Sequence, residues 1–255
     1  PFFDHRAYRA DVYSWSDKPR FVDEEGEKIN RADFRRVGVD FALQAPVERW
    51  GLLEGGLRLG SVDTRDTAGI ELPEADDAVR TAFAGVVIDD LDRLLWPSSG
   101  RRIAVYGSWN SADLGATRDF WRVEGELRVG QRLGQKAILQ LDAFAGLSGK
   151  DLPVYDWFRI GGPYLVPGYR HEELKGPQAL AGAVALRYTV VSRLETVARV
   201  GTGNVYASRE DITLDDLRWG IGIGLVFHSR VGPLALELGW RDGGSPLFSA
   251  SLGWN

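Results

Sequence analysis

Residues 121–129 read Trp-Arg-Val-Glu-Gly-Glu-Leu-Arg-Val, and this stretch indicates the fold class of the whole chain. Apolar or small residues occupy every second position, and charged residues fill the positions between them. Side chains of a β-strand alternate between two faces, whereas those of a helix repeat every 3.6 residues. The pattern therefore predicts a strand with one apolar face and one charged face.

The same alternation recurs from one end of the chain to the other. It is clear at residues 36–43, 53–59, 79–87 and 103–109. Further strands are predicted near residues 5–15, 136–146, 180–191, 194–206, 217–228, 232–241 and 246–254. Together these segments predict an all-β protein with about twelve visible antiparallel strands.

The connections between the predicted strands differ in length. Short turns lie at 97–100, 133–135 and 229–232, and longer polar connections lie at 17–30, 64–77, 110–118, 148–179 and 207–216. Short turns at one end and long loops at the other are typical of outer-membrane barrels, and strands of ten or more residues suit the tilted span of a bilayer. We therefore predict an antiparallel transmembrane β-barrel.

A soluble all-β binding module is the alternative from another class. Two packed sheets would bury their apolar faces against each other and turn the charged faces outward. Burial of Val123, Leu127, Leu186 and Leu236 against a second sheet would favour this alternative, whereas exposure of these side chains would favour the barrel.

Composition limits the remaining possibilities. The 255 residues carry a formal net charge of -5, which gives no footprint for nucleic acid. The chain has no cysteine, so disulfides and thiolate metal sites are excluded. Its three histidines are far apart without ligand spacing, so neither a metal nor a cofactor is expected. Because the chain lacks methionine and starts at Pro1, we expect it to be a fragment of a longer protein.

The sequence does not predict catalytic residues. Asp242-Gly243-Gly244 resembles the Asp-Gly-Gly that carries the catalytic aspartate of patatin-like lipases. However, the chain contains no Gly-x-Ser-x-Gly nucleophile elbow. Without an activated nucleophile the aspartate has nothing to act on, so we expect this chain not to be an enzyme.

The longest connection, residues 148–179, carries the strongest functional signal. It contains a Gly161-Gly162-Pro163 break and a second turn at Pro167-Gly168-Tyr169. A long loop punctuated by glycine and proline is where a β-protein usually keeps its function.

This loop resembles that of the BamA-like superfamily of outer-membrane barrels. The superfamily includes assembly factors, two-partner secretion pores and patatin-like phospholipases that carry their own barrel. The resemblance implies that residues 148–179 fold back into the barrel lumen, with a tip of the form Val-Arg-Gly-Tyr. Here the tip is Val166-Pro167-Gly168-Tyr169, so proline replaces the arginine.

In the superfamily that arginine meets an aspartate on the inner wall. The matching stretch here is 200–206, with Gly201 at the position of the aspartate. Both the arginine and the aspartate are therefore absent from this chain. Their joint absence is physically consistent, because either charge alone, buried without its counterion, would cost several kcal/mol.

The resemblance implies three groups of site residues. The lumenal loop motif comprises Gly161, Gly162, Val166, Pro167, Gly168, Tyr169 and Arg170; its inner-wall partners are Gly201, Gly203, Asn204, Arg122, Glu124 and Glu126; the C-terminal strand signal is Phe248, Leu252 and Trp254. We expect Tyr169 to stack against the wall and Arg170 to pair with Glu124 or Glu126.

Within the superfamily the loop is most similar to the patatin-like branch. The shared positions are Gly161, Gly162, Leu165, Gly168, Tyr169, Leu174, Gly176 and Pro177. This likeness implies a single domain, residues 1–255, that anchors, displays or translocates an N-terminal passenger, a patatin-like lipase domain that is absent here. An assembly factor or a two-partner secretion pore is the alternative.

The resemblance implies a complete barrel of about sixteen strands. About four N-terminal strands are thus expected to precede this chain. The implied location is the outer membrane of a Gram-negative bacterium. The implied partners are membrane lipid and lipopolysaccharide, the barrel-assembly machinery, the passenger domain and a second copy of the chain.

Overall fold

The computed structural model describes residues 7–22, 28–48, 50–68, 75–93, 96–230 and 232–253. Its strands are β1 (Ala7–Asp17), β2 (Arg20–Val22), β3 (Lys28–Val47), β4 (Gly51–Ala68), β5 (Ala75–Asp89), β6 (Gly100–Asn110), β7 (Phe120–Leu133), β8 (Ala137–Ser148), β9 (Phe158–Ile160), β10 (Leu174–Gly176), β11 (Gln178–Val191), β12 (Leu194–Tyr206), β13 (Arg218–Ser229), β14 (Gly232–Arg241) and β15 (Leu247–Leu252). Two short 3₁₀ helices span Ala112–Leu114 and Val154–Asp156. The described residues form no helix long and apolar enough to cross a membrane.

Twelve strands follow one another in a single sheet. Their order is β1-β3-β4-β5-β6-β7-β8-β11-β12-β13-β14-β15, with β2 paired to β3 outside this path. The short strands β9 and β10 pair with each other in a separate two-stranded sheet. The prediction of an all-β chain with about twelve strands is confirmed, because each predicted strand corresponds to one strand of this path.

Strands β3 and β4 are longer than the apolar alternation predicted. They contain 20 and 18 residues, and they extend into the expected polar connections at 17–30 and 64–77. Their ends pair residues of opposite charge directly across the hairpin, as in the Asp33 and Arg65 pair. Such cross-strand pairs stabilise the charged positions of the hairpin, while its Ala32, Phe34 and Val62 are buried in a cluster with Tyr155.

The described strands belong to two compact units. The first unit comprises residues 1–88, 104–124 and 146–157, and the second comprises residues 89–103, 125–145 and 158–255.

In each unit one face of the sheet is polar and partly covered, and the other is apolar and exposed. In the second unit Arg187 is fully buried, whereas its neighbours Leu186 and Tyr188 are 50% and 48% exposed. In the first unit Asp40 is buried, whereas its neighbour Phe41 is 50% exposed. We call these faces the polar face and the apolar face.

The exposed apolar face excludes the soluble alternative. Val123, Leu186 and Leu236 are 40%, 50% and 38% exposed, and Leu127 is only half-buried. Among the described residues, the separate sheet formed by β9 and β10 has three residues in each strand, too few to cover these side chains. The soluble alternative, which required a second sheet to bury them, is therefore contradicted, and the predicted barrel is favoured.

Exposed aromatic residues lie near the strand ends. Trp15, Trp109 and Trp219 stand close to the ends that lead into the long connections, and Trp50 and Tyr188 lie at or near the short turns. Rings at both ends of the strands match the aromatic girdles of membrane barrels.

Candidate functional site: the loop docked on the polar face

The connection between β8 and β11 forms an antiparallel hairpin. Leu174 pairs with Ile160 and Gly176 with Phe158, so β9 and β10 form its stem. The loop tip, residues 161–173, begins with two glycines at φ values of 123° and 92°. This backbone region is open to glycine and costly for other residues, which explains the Gly-Gly pair at the start of the tip.

The centre of the loop tip is buried. Val166 is 0% exposed and Tyr169 is 6% exposed, and Pro167 and Gly168 between them are also buried. The Val166 N–H donates to the carbonyl of Gly162 over 3.0 Å, and the Tyr169 N–H donates to the carbonyl of Val166 over 3.3 Å. The tip is therefore a closed turn that presents its backbone to the sheet.

The backbone of the tip lies directly on glycines of the polar face. A Cβ atom added at Gly201 of β12 would overlap the carbonyl oxygen of Leu165. At Gly220 of β13 it would overlap the carbonyl oxygen of Pro167, and at Gly239 of β14 it would overlap the amide nitrogen of Gly168. Gly201 pairs with Gly220, and Gly222 pairs with Gly239, so these glycines are contiguous. We call Gly201, Gly220, Gly222 and Gly239 the glycine platform.

The structure brings together Pro167 and Gly201, the two positions that the resemblance matches to an arginine and an aspartate. A Cβ atom at Gly201 would lie 2.9 Å from Cδ of Pro167. An aspartate at position 201 is thus incompatible with this docking, because the loop backbone occupies the space its side chain would need. Pro167 therefore packs closely on Gly201.

Arg199 holds the first half of the tip. Its guanidinium donates to the carbonyl of Pro163 and lies 3.6 Å from the carboxylate of Glu237. The same group stacks over the ring of Tyr164 at 5.2 Å. The Arg199 side chain is fully buried, and its Nε and Nη2 atoms have no hydrogen-bond partner, so its charge is compensated by Glu237 and by the Tyr164 ring.

Arg241 holds the second half of the tip. It forms an ion pair of 2.5 Å with Glu173 and lies over the ring of Tyr169 at 4.8 Å. Tyr169 therefore rests against the sheet, and burial raises the pKa of its hydroxyl.

The expected ion pair of Arg170 is not found among the described residues. The Arg170 side chain is exposed, and its backbone N–H donates to Glu173 over 2.6 Å. Glu124 instead accepts from Arg122, which also donates to the carbonyl of Asp156 over 3.0 Å. Glu126 is exposed. Arg170 and Glu124 belong to different compact units, and the pairing of Arg170 with Glu124 or Glu126 stays a prediction.

Two other predicted wall residues have different positions. Gly203 is buried on the polar face of β12, where an added Cβ would meet the Ala181 Cβ at 2.7 Å. Asn204 donates to the carbonyl of Asp216 over 2.8 Å, so it holds the connection at 207–217 and not the loop tip.

The C-terminal residues lie on the apolar face. Phe248 and Leu252 are 63% and 61% exposed. Trp254 falls outside the residues that the structure describes.

A second inserted segment, which the sequence did not predict, comes from the turn between β5 and β6. Asp92 accepts from the Ser98 N–H at 2.7 Å and from the Ser99 N–H at 3.0 Å. Partial burial would raise the pKa of Asp92, but these hydrogen bonds outweigh it and hold the pKa below its usual value. The turn positions Trp96, which is buried.

Arg187 fixes this turn to the polar face. It donates to Glu195 at 3.0 and 2.8 Å, to the carbonyls of Pro97 and Trp96 at 2.6 and 3.3 Å, and to Gln140 at 3.3 Å. These five contacts satisfy all five N–H donors of the guanidinium.

The turn and the loop tip meet at an aromatic pair. The rings of Trp96 and Tyr164 are 5.6 Å apart in an edge-on arrangement, with Arg187 and Arg199 stacked on Trp96 at 5.2 and 5.8 Å. The sequence does mark Arg187 and Arg199, because each is a charged residue within a strand composed mainly of apolar and small residues. Their partners become visible only from the strand register.

The start of the same connection packs on the polar face of the first unit. The Tyr155 hydroxyl donates to Asp77 at 3.0 Å, and Arg118 pairs with the same carboxylate at 2.9 Å. Arg36 pairs with Asp156 at 3.0 Å and lies over the Tyr155 ring at 5.1 Å. Burial raises the pKa of Tyr155, which stays a neutral hydrogen-bond donor.

Comparison with known proteins agrees with this architecture. The model of the Omp85 superfamily domain matches residues 9–253. A search of curated proteins found no match. The crystal structure of BamA from Haemophilus ducreyi lacking POTRA domains 1–3 is similar, with a TM-score of 0.77 and 13% identity over 97% of this chain and 59% of that chain. CdiB from Acinetobacter baumannii has a TM-score of 0.61 and 15% identity over 97% of this chain and 47% of that chain.

The chain thus spans 59% of the first of these structures and 47% of the second. At such low identity the two structures show a common fold and nothing finer. The family match covers nearly the whole chain, and the resemblance inferred from the loop motif is confirmed. This protein belongs to the Omp85 superfamily and is a β-barrel of the Gram-negative outer membrane.

Proposed function

We propose that this chain is the barrel portion of a protein that anchors an N-terminal passenger and displays or translocates it, with the loop tip as the closing element. The observation that carries the proposal is the docking of the Leu165–Gly168 backbone on the glycine platform. In this proposal the polar face lines the lumen, and the docked loop blocks it until the passenger passes.

The contacts of the loop tip suit reversible release. The buried arginines Arg187 and Arg199 each have a carboxylate partner on the sheet itself, Glu195 and Glu237. Release of the loop therefore leaves these two charges paired. The ion pair between Arg241 of β14 and Glu173 of the loop would break on release. A buried Arg–Asp pair between loop and wall would instead leave two buried charges without partners, at a cost of several kcal/mol.

The passenger we propose is a patatin-like lipase domain. The support is the spacing of glycines, Tyr169 and Pro177 in the loop, together with proline at the tip position of the superfamily arginine. Ester hydrolysis then belongs to the passenger, and this chain contributes no catalytic residue, metal or cofactor. An assembly factor or a two-partner secretion pore is the alternative, and a Gly-x-Ser-x-Gly motif upstream would distinguish the lipase passenger from both.

The remaining proposed partners follow from the apolar face and the last strand. Exposed side chains such as Leu186 and Ile223 suit membrane lipid and lipopolysaccharide. Phe248 and Leu252 suit recognition by the barrel-assembly machinery. A second copy of the chain remains a candidate partner.

A disulfide between loop and wall tests the proposal. A Cβ atom at Gly222 would lie 3.1 Å from the Pro167 Cβ, somewhat closer than the roughly 3.8 Å typical of a disulfide. The chain has no cysteine, so Pro167→Cys combined with Gly222→Cys creates one defined bridge. In the full-length protein carrying an N-terminal epitope tag, we expect the oxidised double variant to lose surface exposure of the tag and the reduced one to regain it.

The single variants Pro167→Cys and Gly222→Cys are the matched controls, and their display should not respond to the redox state. Mass spectrometry verifies that the disulfide has formed. If the oxidised and the reduced double variants then expose the tag equally, the loop does not block passage of the N-terminal segment through the lumen.

A further inference from the structure

Three short turns of the second unit carry positive charge, whereas the turn between β5 and β6 carries Asp90 and Asp92. The turns from β7 to β8, from β11 to β12 and from β13 to β14 contribute Lys136, Arg193 and Arg230 respectively, and none of these turns contains aspartate or glutamate. All three side chains are exposed. Within the part of the chain that the structure describes, none of the three forms an ion pair.

Backbone hydrogen bonds place these turns side by side. The carbonyl of Lys136 accepts from the N–H of Thr189 in β11 over 2.8 Å. The carbonyl of Arg193 accepts from the N–H of His228 in β13 over 2.8 Å. Arg230 follows two residues after His228. The three cations thus form one row, which we call the turn edge.

The turn edge adjoins the end of the apolar face. Leu133, Val191 and Phe227 lie within three residues of these cations and are 51%, 59% and 44% exposed. Lysine and arginine just beyond an apolar belt can lay their stems along it while the charged group reaches the headgroup layer. The opposite ends of these strands differ, since the connection at 207–217 carries four acidic residues and one arginine.

We propose that the turn edge binds the phosphate groups of anionic phospholipids in the membrane leaflet on the side of the short turns. The ligand class follows from two features together: the unpaired cations select phosphate, and the adjoining exposed apolar side chains select a molecule with acyl chains. This inference rests on membership of an outer-membrane family and is independent of the passenger and of loop movement.

The test is native mass spectrometry of the full-length protein mixed with equal amounts of phosphatidylglycerol and phosphatidylcholine. The wild type should bind phosphatidylglycerol preferentially, and raising the salt concentration should weaken the preference. Each cation near an anionic surface contributes about fivefold to binding. Lys136→Gln combined with Arg193→Gln should therefore reduce the phosphatidylglycerol preference by about 25-fold.

Lys150→Gln combined with Arg209→Gln is the matched control, since it removes one lysine and one arginine from long connections and should preserve the preference. An equal loss in both double variants, or no loss in either, would overturn the proposal. Competition by millimolar inorganic phosphate would indicate a free-anion site instead. Loss of lipid binding only when the N-terminal segment is present would assign the turn edge to an acidic protein partner.

Discussion

Replacing Gly220 with alanine tests whether close backbone contact holds the loop tip. The added Cβ would overlap the carbonyl oxygen of Pro167 and lie 3.1 Å from that of Trp240. Both are backbone atoms that cannot rotate away, so either the tip leaves the sheet or the strand shifts.

The magnitude follows from what the docked tip buries. Burial of a side chain of this size stabilises by about 1.5–3 kcal/mol, so Val166 and Tyr169 together favour docking by about 4 kcal/mol. At about 1.4 kcal/mol per factor of ten, the docked state is favoured roughly a thousandfold. Gly220→Ala should remove this preference and leave most molecules with an undocked tip.

Hydrogen–deuterium exchange of residues 161–173 in the full-length protein measures this change. The Val166 amide, which is buried and hydrogen-bonded to Gly162, should exchange about a thousandfold faster in Gly220→Ala.

Two further glycines provide a graded series. In Gly222→Ala the closest contact of the added Cβ is the Pro167 side chain at 3.1 Å, with the Leu238 carbonyl oxygen at 3.8 Å, so this variant should have an intermediate effect. Gly182→Ala has no atom closer than Asp142 O at 3.7 Å and should have none. Exchange in Gly220→Ala as slow as in Gly182→Ala would refute the argument.

Three other substitutions test the remaining contacts. Tyr169→Ala should loosen the loop and raise the single-channel conductance of the full-length protein, whereas Tyr188→Ala, which truncates an exposed ring on the apolar face, should leave conductance unchanged; equal conductances would count against a lumenal tip. Glu195→Gln leaves the buried charge of Arg187 without its counterion and should lower the free energy of unfolding by about 3–5 kcal/mol; an unchanged denaturation midpoint would contradict this. Asp92 has a folded-state pKa below its unfolded value of about 3.9, so its stabilisation is complete above that pH and disappears as the pH falls through the folded pKa. Asp92→Asn should therefore show a shallower loss of melting temperature between pH 6 and pH 3 than the wild type, and parallel curves would rule out this contribution.

Periodicity was sufficient to predict the strands, because an exposed apolar face leaves a period of two in the sequence. It failed at the outer parts of β3 and β4, where charged residues predominate and the buried Ala32, Phe34 and Val62 are too few to show a period of two. There the hairpin is extended by cross-strand pairs such as Asp33 with Arg65. Such pairs depend on two strands, so the pattern within one strand does not predict them.

The loop was located correctly from its glycines and prolines, but its binding surface was not. The run from Gly220 to Gly224 alternates glycine with isoleucine, and this pattern predicts a strand, which glycine normally weakens, but no docking surface. Only the structure shows that Gly220 and Gly222 make room for a second backbone.

The ion pairs were missed for a related reason. Arg187 and Glu195 lie on neighbouring strands, and their contact depends on the register of those strands. The insertion of Trp96 depends in turn on Arg187, since that side chain binds the carbonyls of the turn.

The central claim is that the apolar face meets lipid, and spin-label accessibility tests it most directly. The chain has no cysteine, so single cysteines at Leu186, Ile223 and Leu236 can each carry one label in the full-length protein. Labels at these three positions should collide with oxygen, which concentrates in the bilayer, more than with a water-soluble nickel complex. A label at Leu214, 71% exposed in a long connection, should show the reverse. Greater nickel accessibility at the three strand positions would contradict the account.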